Sequence, residues 1–140
     1  MATDTITIRA GDAPDVEAFL AVRIYEFNAA ATGRADGEGF SATRLDADGA
    51  IVAGICGHTW AGSAYVSSLW VAASWRGQGT GAALLAAAES HARARHCRMV
   101  FVATHDFQAP AFYEHMGYAR TAIVRDLPPG HDTFWYAKRL

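Results

Sequence analysis

At 140 residues the chain has the length of one ordinary domain, and its 51% hydrophobic content is enough to fill one core without disulfides or metals. Twelve Lys and Arg against 14 Asp and Glu leave a net charge of -2, which argues against a general electrostatic grip on nucleic acid or on an anionic membrane. Cys56 and Cys97 are far apart and outside any C-x-x-C spacing, so neither a disulfide framework nor a zinc cluster is expected, and both are read as reduced, buried thiols.

The first ten residues alternate polar and apolar side chains instead of joining a basic flank to a long apolar run, which points to a cytoplasmic chain without a leader or an anchor. Ile6 and Ile8 give residues 5–10 the period of a half-buried strand. Asp12 and Asp15 are N-cap candidates for a helix whose apolar face carries Val16, Phe19, Leu20, Ile24 and Phe27. Ala-rich and Gly-rich sequence over 29–39 then breaks the pattern and reads as a loop or a short second helix.

Residues 40–46 and 50–60 flank the turn Ala47-Asp48-Gly49 as a hairpin, and Ala61-Gly62-Ser63 leads into a third strand ending at Ala72. A helix is predicted over 80–95, a short apolar strand over 99–104, and a helix from Pro110 to Met116 that Gly117 stops. Strands over 118–126 and 133–138 close the chain around Pro128-Pro129-Gly130. The order is mixed α+β in one domain, with a strand-helix-strand crossover in the middle.

The most informative segment is Arg76-Gly77-Gln78-Gly79-Thr80-Gly81, between an apolar strand and a helix start. Glycines let successive N–H groups turn toward one anion, the helix start adds unpaired donors and the positive end of its dipole, and Arg76 adds a cation. A P-loop would need Gly-Lys followed by Ser or Thr, which is missing. A dinucleotide fingerprint would need an acidic residue about twenty positions on, where Cys97-Arg98 stands.

Arg76, Gly79 and Gly81 occupy the acetyl-CoA motif of the GCN5-related N-acetyltransferase (GNAT) family: Arg or Gln, two residues, Gly, one residue, then Gly or Ala. Leu69-Trp70-Val71 resembles that family's splayed strand, and residues 112–118 resemble its F-Y-x-x-x-G-F segment. Pro128-Pro129-Gly130-His131 is similar to a turn found in many members. The resemblance implies the GNAT fold, a twisted, mixed, mostly antiparallel sheet flanked by helices and split to admit acetyl-CoA. It implies cofactor contacts from Leu69, Trp70, Val71, Ala73, the loop 76–81, Phe112 and Tyr113, and no metal. Where the family commonly has an Asn at the end of the crossover strand, Thr104, His105 or Gln108 stands in.

Acetyl transfer to an amine needs a neutral nucleophile, a donor for the carbonyl oxygen and a proton for the leaving thiolate. By the same resemblance the oxyanion donor is the backbone N–H near Val71, and Tyr113 is the general acid. The carboxylate often present on the splayed strand is replaced by Ser67-Ser68. Glu26 and His131 are the candidate bases, with His58 and His105 behind them. Tyr25, Phe27, Trp60, Trp70 and Trp135 are candidates for an acceptor pocket suited to a flat or apolar amine. The expected activity is direct acetyl transfer from acetyl-CoA to the amine of a small metabolite or antibiotic, and the resemblance suggests a homodimer. A non-catalytic acyl-CoA-binding or sensing module is the alternative that the missing carboxylate leaves open.

Overall fold

The computed structural model describes residues 4–140, and the chain divides into two compact units that meet at Ala35 and Asp36. In the first unit α1 (Pro14–Thr32) starts with Pro at its first position, where the missing N–H is one the helix could not use. Ala13 takes the N-cap place without a side-chain bond, while Asp15 stands in the first turn and pairs with Arg9 at 2.8 Å. The helix runs through the alanines that were expected to break it, because Ala is the strongest helix former. It ends at Gly33, whose N–H donates to Ala29 O at 2.8 Å. Residues 5–10 carry no regular structure, contrary to their alternation. A period-2 pattern says which face would be buried, but a strand forms only where a neighbour takes its backbone hydrogen bonds.

In the second unit, β1 (Glu38–Leu45), β2 (Ile51–Trp60) and β3 (Ser63–Val71) form the predicted meander. Asp46 shapes the first turn by accepting the N–H groups of Asp48 and Ala50, both at 2.9 Å. The second turn puts Ala61 and Gly62 at φ 51 and 82, the two positive angles that a tight hairpin needs. The cost at Ala61 is offset by the Asp36 carboxylate, which accepts its N–H at 3.1 Å. A short 3₁₀ turn, Ala73–Trp75, leads to α2 (Thr80–Ala94), then β4 (Met99–His105), α3 (Pro110–His115), β5 (Ala119–Val124) and β6 (Thr133–Arg139). The six strands make one sheet in the order β1-β2-β3-β4-β6-β5, with β3 and β4 parallel and every other pair antiparallel.

The core lies between α2 and one sheet face. Leu84, Leu85, Ala88 and Ala92 of α2 are buried against Ala53, Ile55, Val66, Val100, Val102 and Tyr136. The side chains reach this face from alternate strand positions, as the period predicts. One charged group enters it: buried Glu89 on α2 receives Lys138 Nζ at 2.9 and 3.1 Å and the Tyr118 hydroxyl at 3.0 Å. Lys138 also donates to Met116 O at 3.0 Å, so the cluster ties α2 to β6 and to the end of α3.

Two features of this unit create a site. Ser68 faces Cys56 but Val66 faces Gly57, which leaves Ser67 unpaired in a β-bulge. The parallel β3–β4 ladder also stops at Val66 and Val102, so the last five residues of β3 and the end of β4 are no longer joined.

Candidate active site

Beyond that last pairing the sheet is open at its centre. Ala72 donates to Val52 O at 2.8 Å, and antiparallel alternation therefore turns the N–H and C=O of Val71 and of Leu69 away from β2, toward the gap. A cleft of about 1050 Å³ occupies this gap, with Leu69, Trp70 and Val71 on one wall and Val102, Ala103 and Thr104 on the other. An extended chain with amide groups can enter as an added strand and pair with the Val71 N–H and the backbone groups of Leu69.

The predicted anion loop forms one end of the cleft. Arg76, Gly77, Gly79, Thr80 and Gly81 all line it, the last two being the first residues of α2. Gly77 and Gly79 have φ 73 and 78, left-handed values that point the following N–H groups outward and that a side chain would strain. Arg76 is fixed by donating from Nε to Val71 O at 3.0 Å, so one carbonyl facing the gap holds the cation of the loop. Ala73 lies in the 3₁₀ turn and Gln78 donates to Ser74 O at 3.4 Å, and neither lines the cleft. The loop is supported by Arg44, which donates to Thr80 Oγ1 at 2.9 Å and lies over the Trp75 ring at 4.6 Å. Nothing in the sequence pointed to Arg44; the register of β1 against β2 brings it there.

The α3 side of the cleft carries Gln108, Phe112 and Tyr113. Gln108 Oε1 accepts the N–H of His105 at 2.8 Å, which leaves its amide nitrogen as the remaining donor. Tyr113 is 5% exposed, packed among Phe112, Tyr118 and Tyr136, and burial pushes its phenol up to about 12. A phenol so displaced stays protonated at neutral pH and is a donor in waiting.

Of the candidate bases, Glu26 lies on α1 in an ion pair with Arg23 at 3.4 Å. His131 sits in the β5–β6 turn, does not line the cleft, and touches Phe107, which does. The His58 ring lies tilted against Tyr65, with ring centres 5.4 Å apart, and His105 Nδ1 meets Thr133 Oγ1 at 2.7 Å. Ser67 donates to Cys56 O at 3.1 Å. Cys56 is exposed, with its thiol 3.4 Å from the Ser67 hydroxyl, which corrects the expectation that both cysteines are buried; only Cys97 is. The reason is register, which sets Cys56 on the face that α2 does not cover. Trp70 lines the cleft while Trp135 packs with Phe101 and Tyr65, so these two tryptophans do not share a pocket.

The acetyltransferase (GNAT) family model matches residues 6–118. The chain is 34% identical over 130 residues to an acetyltransferase of Agrobacterium fabrum, covering 91% of this chain and 95% of that one. It is 41% identical over 93 residues to the blasticidin-S acetyltransferase of Streptomyces morookaense, covering 66% and 68%. A crystal structure of an Agrobacterium tumefaciens acetyltransferase superposes with a TM-score of 0.88 at 30% identity, covering 99% of this chain and 100% of that one. One from Bacillus cereus gives 0.81 at 28% identity, covering 96% and 98%. Split sheet, glycine loop and relatives agree: the chain belongs to the GNAT family and is an acetyl-CoA-dependent acyltransferase.

Proposed function

We propose that this enzyme transfers the acetyl group of acetyl-CoA directly to the primary amine of a small molecule, with Tyr113 as the acid that protonates the departing thiolate. The observation that carries this reading is the gap between β3 and β4. The Val71 N–H and the backbone groups of Leu69 line one wall, the glycine loop closes one end, and a protonated tyrosine stands on the α3 side. The pantetheine arm of acetyl-CoA is amide-bearing and extended, and its pyrophosphate is an anion, so both halves of the ligand match a wall of the cleft. The N–H of Val71 is the donor for the carbonyl oxygen as it gains charge.

Two considerations favour a small acceptor. One relative is named for acetylating blasticidin S. The sequence shows no acidic run that would form a groove for a basic peptide tail. We read the transfer as direct, since neither cysteine lies in a motif that suggests an acyl-enzyme. The second reading, an acyl-CoA sensor, is favoured by Ser67, which stands where a base would be useful and is engaged with Cys56.

Thiol release from acetyl-CoA, measured against metabolite amines, diamines, amino acids, aminoglycosides and nucleoside antibiotics, separates the two. Amine-dependent release names the substrate class. Tight acetyl-CoA binding with no release from any amine supports the sensor, and absence of binding refutes both.

A further inference from the structure

The β5–β6 turn and the β4–α3 loop meet in a pair of side chains 25 residues apart in sequence. His131 Nδ1 lies 2.8 Å from Asp106 Oδ1, and the other oxygen, Asp106 Oδ2, accepts the N–H of Asp132 at 2.9 Å. Both carboxylate oxygens are therefore engaged and the carboxyl cannot turn. The backbone of His131 is fixed on both sides, donating to Pro128 O at 2.9 Å and accepting from Leu127 N–H at 2.8 Å. Phe107 stands edge-on to the imidazole with ring centres 4.9 Å apart, and the same Phe107 lines the acetyl-CoA cleft. The imidazole is thus one ring removed from the cleft on a rigid mount.

We propose that His131 is the general base that takes the proton from the incoming ammonium group, and that Asp106 is its positioning residue; this rests on the amine acetylation reading above. With Nδ1–H donated to the carboxylate, the tautomer is set and Nε2 presents its lone pair. The side chain is 48% exposed. Asp106 remains ionised because the Asp132 N–H, and after it His131, hold its carboxyl below the usual range. The other charged or titratable groups around the imidazole, among the described residues, are Asp132, paired with Arg125 at 3.2 Å, and His105, stacked on the far side of Phe107.

The ammonium gives one proton to His131 Nε2, which passes it to water. The freed lone pair forms the C–N bond at the thioester carbonyl, whose oxygen takes the π electrons and rests on the Val71 N–H. When the carbonyl re-forms, the C–S bond breaks with its electron pair on sulfur. Tyr113 protonates the thiolate and is itself reprotonated by the second proton of the attacking nitrogen. The sum is amide, coenzyme A thiol and one proton.

The test is the pH dependence of kcat/KM and kcat with the amine found in the panel, for wild type, His131→Gln and Asp106→Asn, with acetyl-CoA affinity measured by calorimetry as the check that each variant is folded. His131→Gln should lose about 100-fold in kcat with acetyl-CoA affinity unchanged, and its profile should lack the acid limb. Asp106→Asn should lower kcat with acetyl-CoA affinity unchanged, and Asp106→Glu, which restores a carboxylate acceptor for Nδ1–H, should recover part of the rate. A merely structural role for Asp106 would lower acetyl-CoA affinity and urea stability together with the rate. If His131→Gln retains wild-type kcat and acid limb, or if Asp106→Asn retains wild-type kcat, the assignment is overturned while amine acetylation stands. Wild type that releases thiol with no amine overturns amine acetylation itself, and this base with it.

Discussion

Among the glycines of the described residues, Gly57 has the least room for a side chain. A Cβ there would stand 1.9 Å from the carbonyl oxygen of Tyr65, 2.9 Å from its carbonyl carbon and 3.0 Å from Phe40 Cζ. The Phe40 ring can yield, but Tyr65 is backbone held between two ladders, against His58 on β2 and Phe101 on β4. Restoring ordinary contact requires about 1.5 Å of extra separation between β2 and β3. That movement breaks about two ladder hydrogen bonds at about 1 kcal/mol each and adds overpacking strain of about 1–3 kcal/mol. Gly57→Ala should therefore lose about 3 kcal/mol or more, a fall of about 10 °C in Tm for a chain of this size. The displaced segment adjoins the Ser67 bulge, so acetyl-CoA affinity should fall with stability. The control is Gly39→Ala on β1, where the nearest atom to a Cβ is a carbonyl oxygen at 3.7 Å, and it should change stability by less than about 0.5 kcal/mol. Urea unfolding and calorimetry on both variants decide the matter. If Gly57→Ala stays within about 1 kcal/mol of wild type and binds acetyl-CoA normally, the reasoning about the β2–β3 contact is wrong.

Further outcomes are expected. Gly79→Ala, at φ 78 with open space around it, should cost the fold only about 1–2 kcal/mol while weakening acetyl-CoA at least about tenfold, because the methyl strains the cradle and projects toward the ligand; equal affinity would remove this glycine from the anion site. Tyr113→Phe should lower kcat by about 100-fold with little change in acetyl-CoA affinity, and a thioester with a more acidic leaving thiol should restore part of the rate. Lys138→Met strands the buried Glu89 carboxylate and should cost about 3–5 kcal/mol in urea unfolding, with much of it recovered in the double variant that adds Glu89→Gln. Tyr113 and Tyr118 both keep their phenol protons in the folded chain above the ordinary value near 10, burial being the main cause in each. Their stabilising contribution is thus complete below about pH 10 and is lost as pH rises through the folded values, by about 1.4 kcal/mol per pH unit for each tyrosine. Unfolding free energies that stay level from pH 9 to 12 would contradict this.

The meander, the crossover and the anion loop were legible in the sequence because each rests on local physics: period-2 alternation, glycine punctuation and a strand running into a helix start. The same reasoning failed at residues 5–10, where alternation was present but a strand partner is not given by the strand's own residues. It failed again at Ala29–Thr32, where helix propensity outran the expected break. Tyr113 was placed in the cleft by a motif resemblance, and burial among three other aromatic rings then fixed its protonation, which no spacing could supply.

By itself the sequence determined which segments fold as strands and helices in the second unit, and that a glycine loop joins the third strand to the helix after it. Tertiary structure alone decided that β3 and β4 part after Val66 and Val102, because that depends on a one-residue bulge and on how far two strands 36 residues apart stay in register. It alone brought Arg44 to Thr80 and Asp106 to His131, for side chains distant in sequence meet only when strand order and turn geometry are both set. Local patterns fix elements, and contacts between elements await the closed sheet.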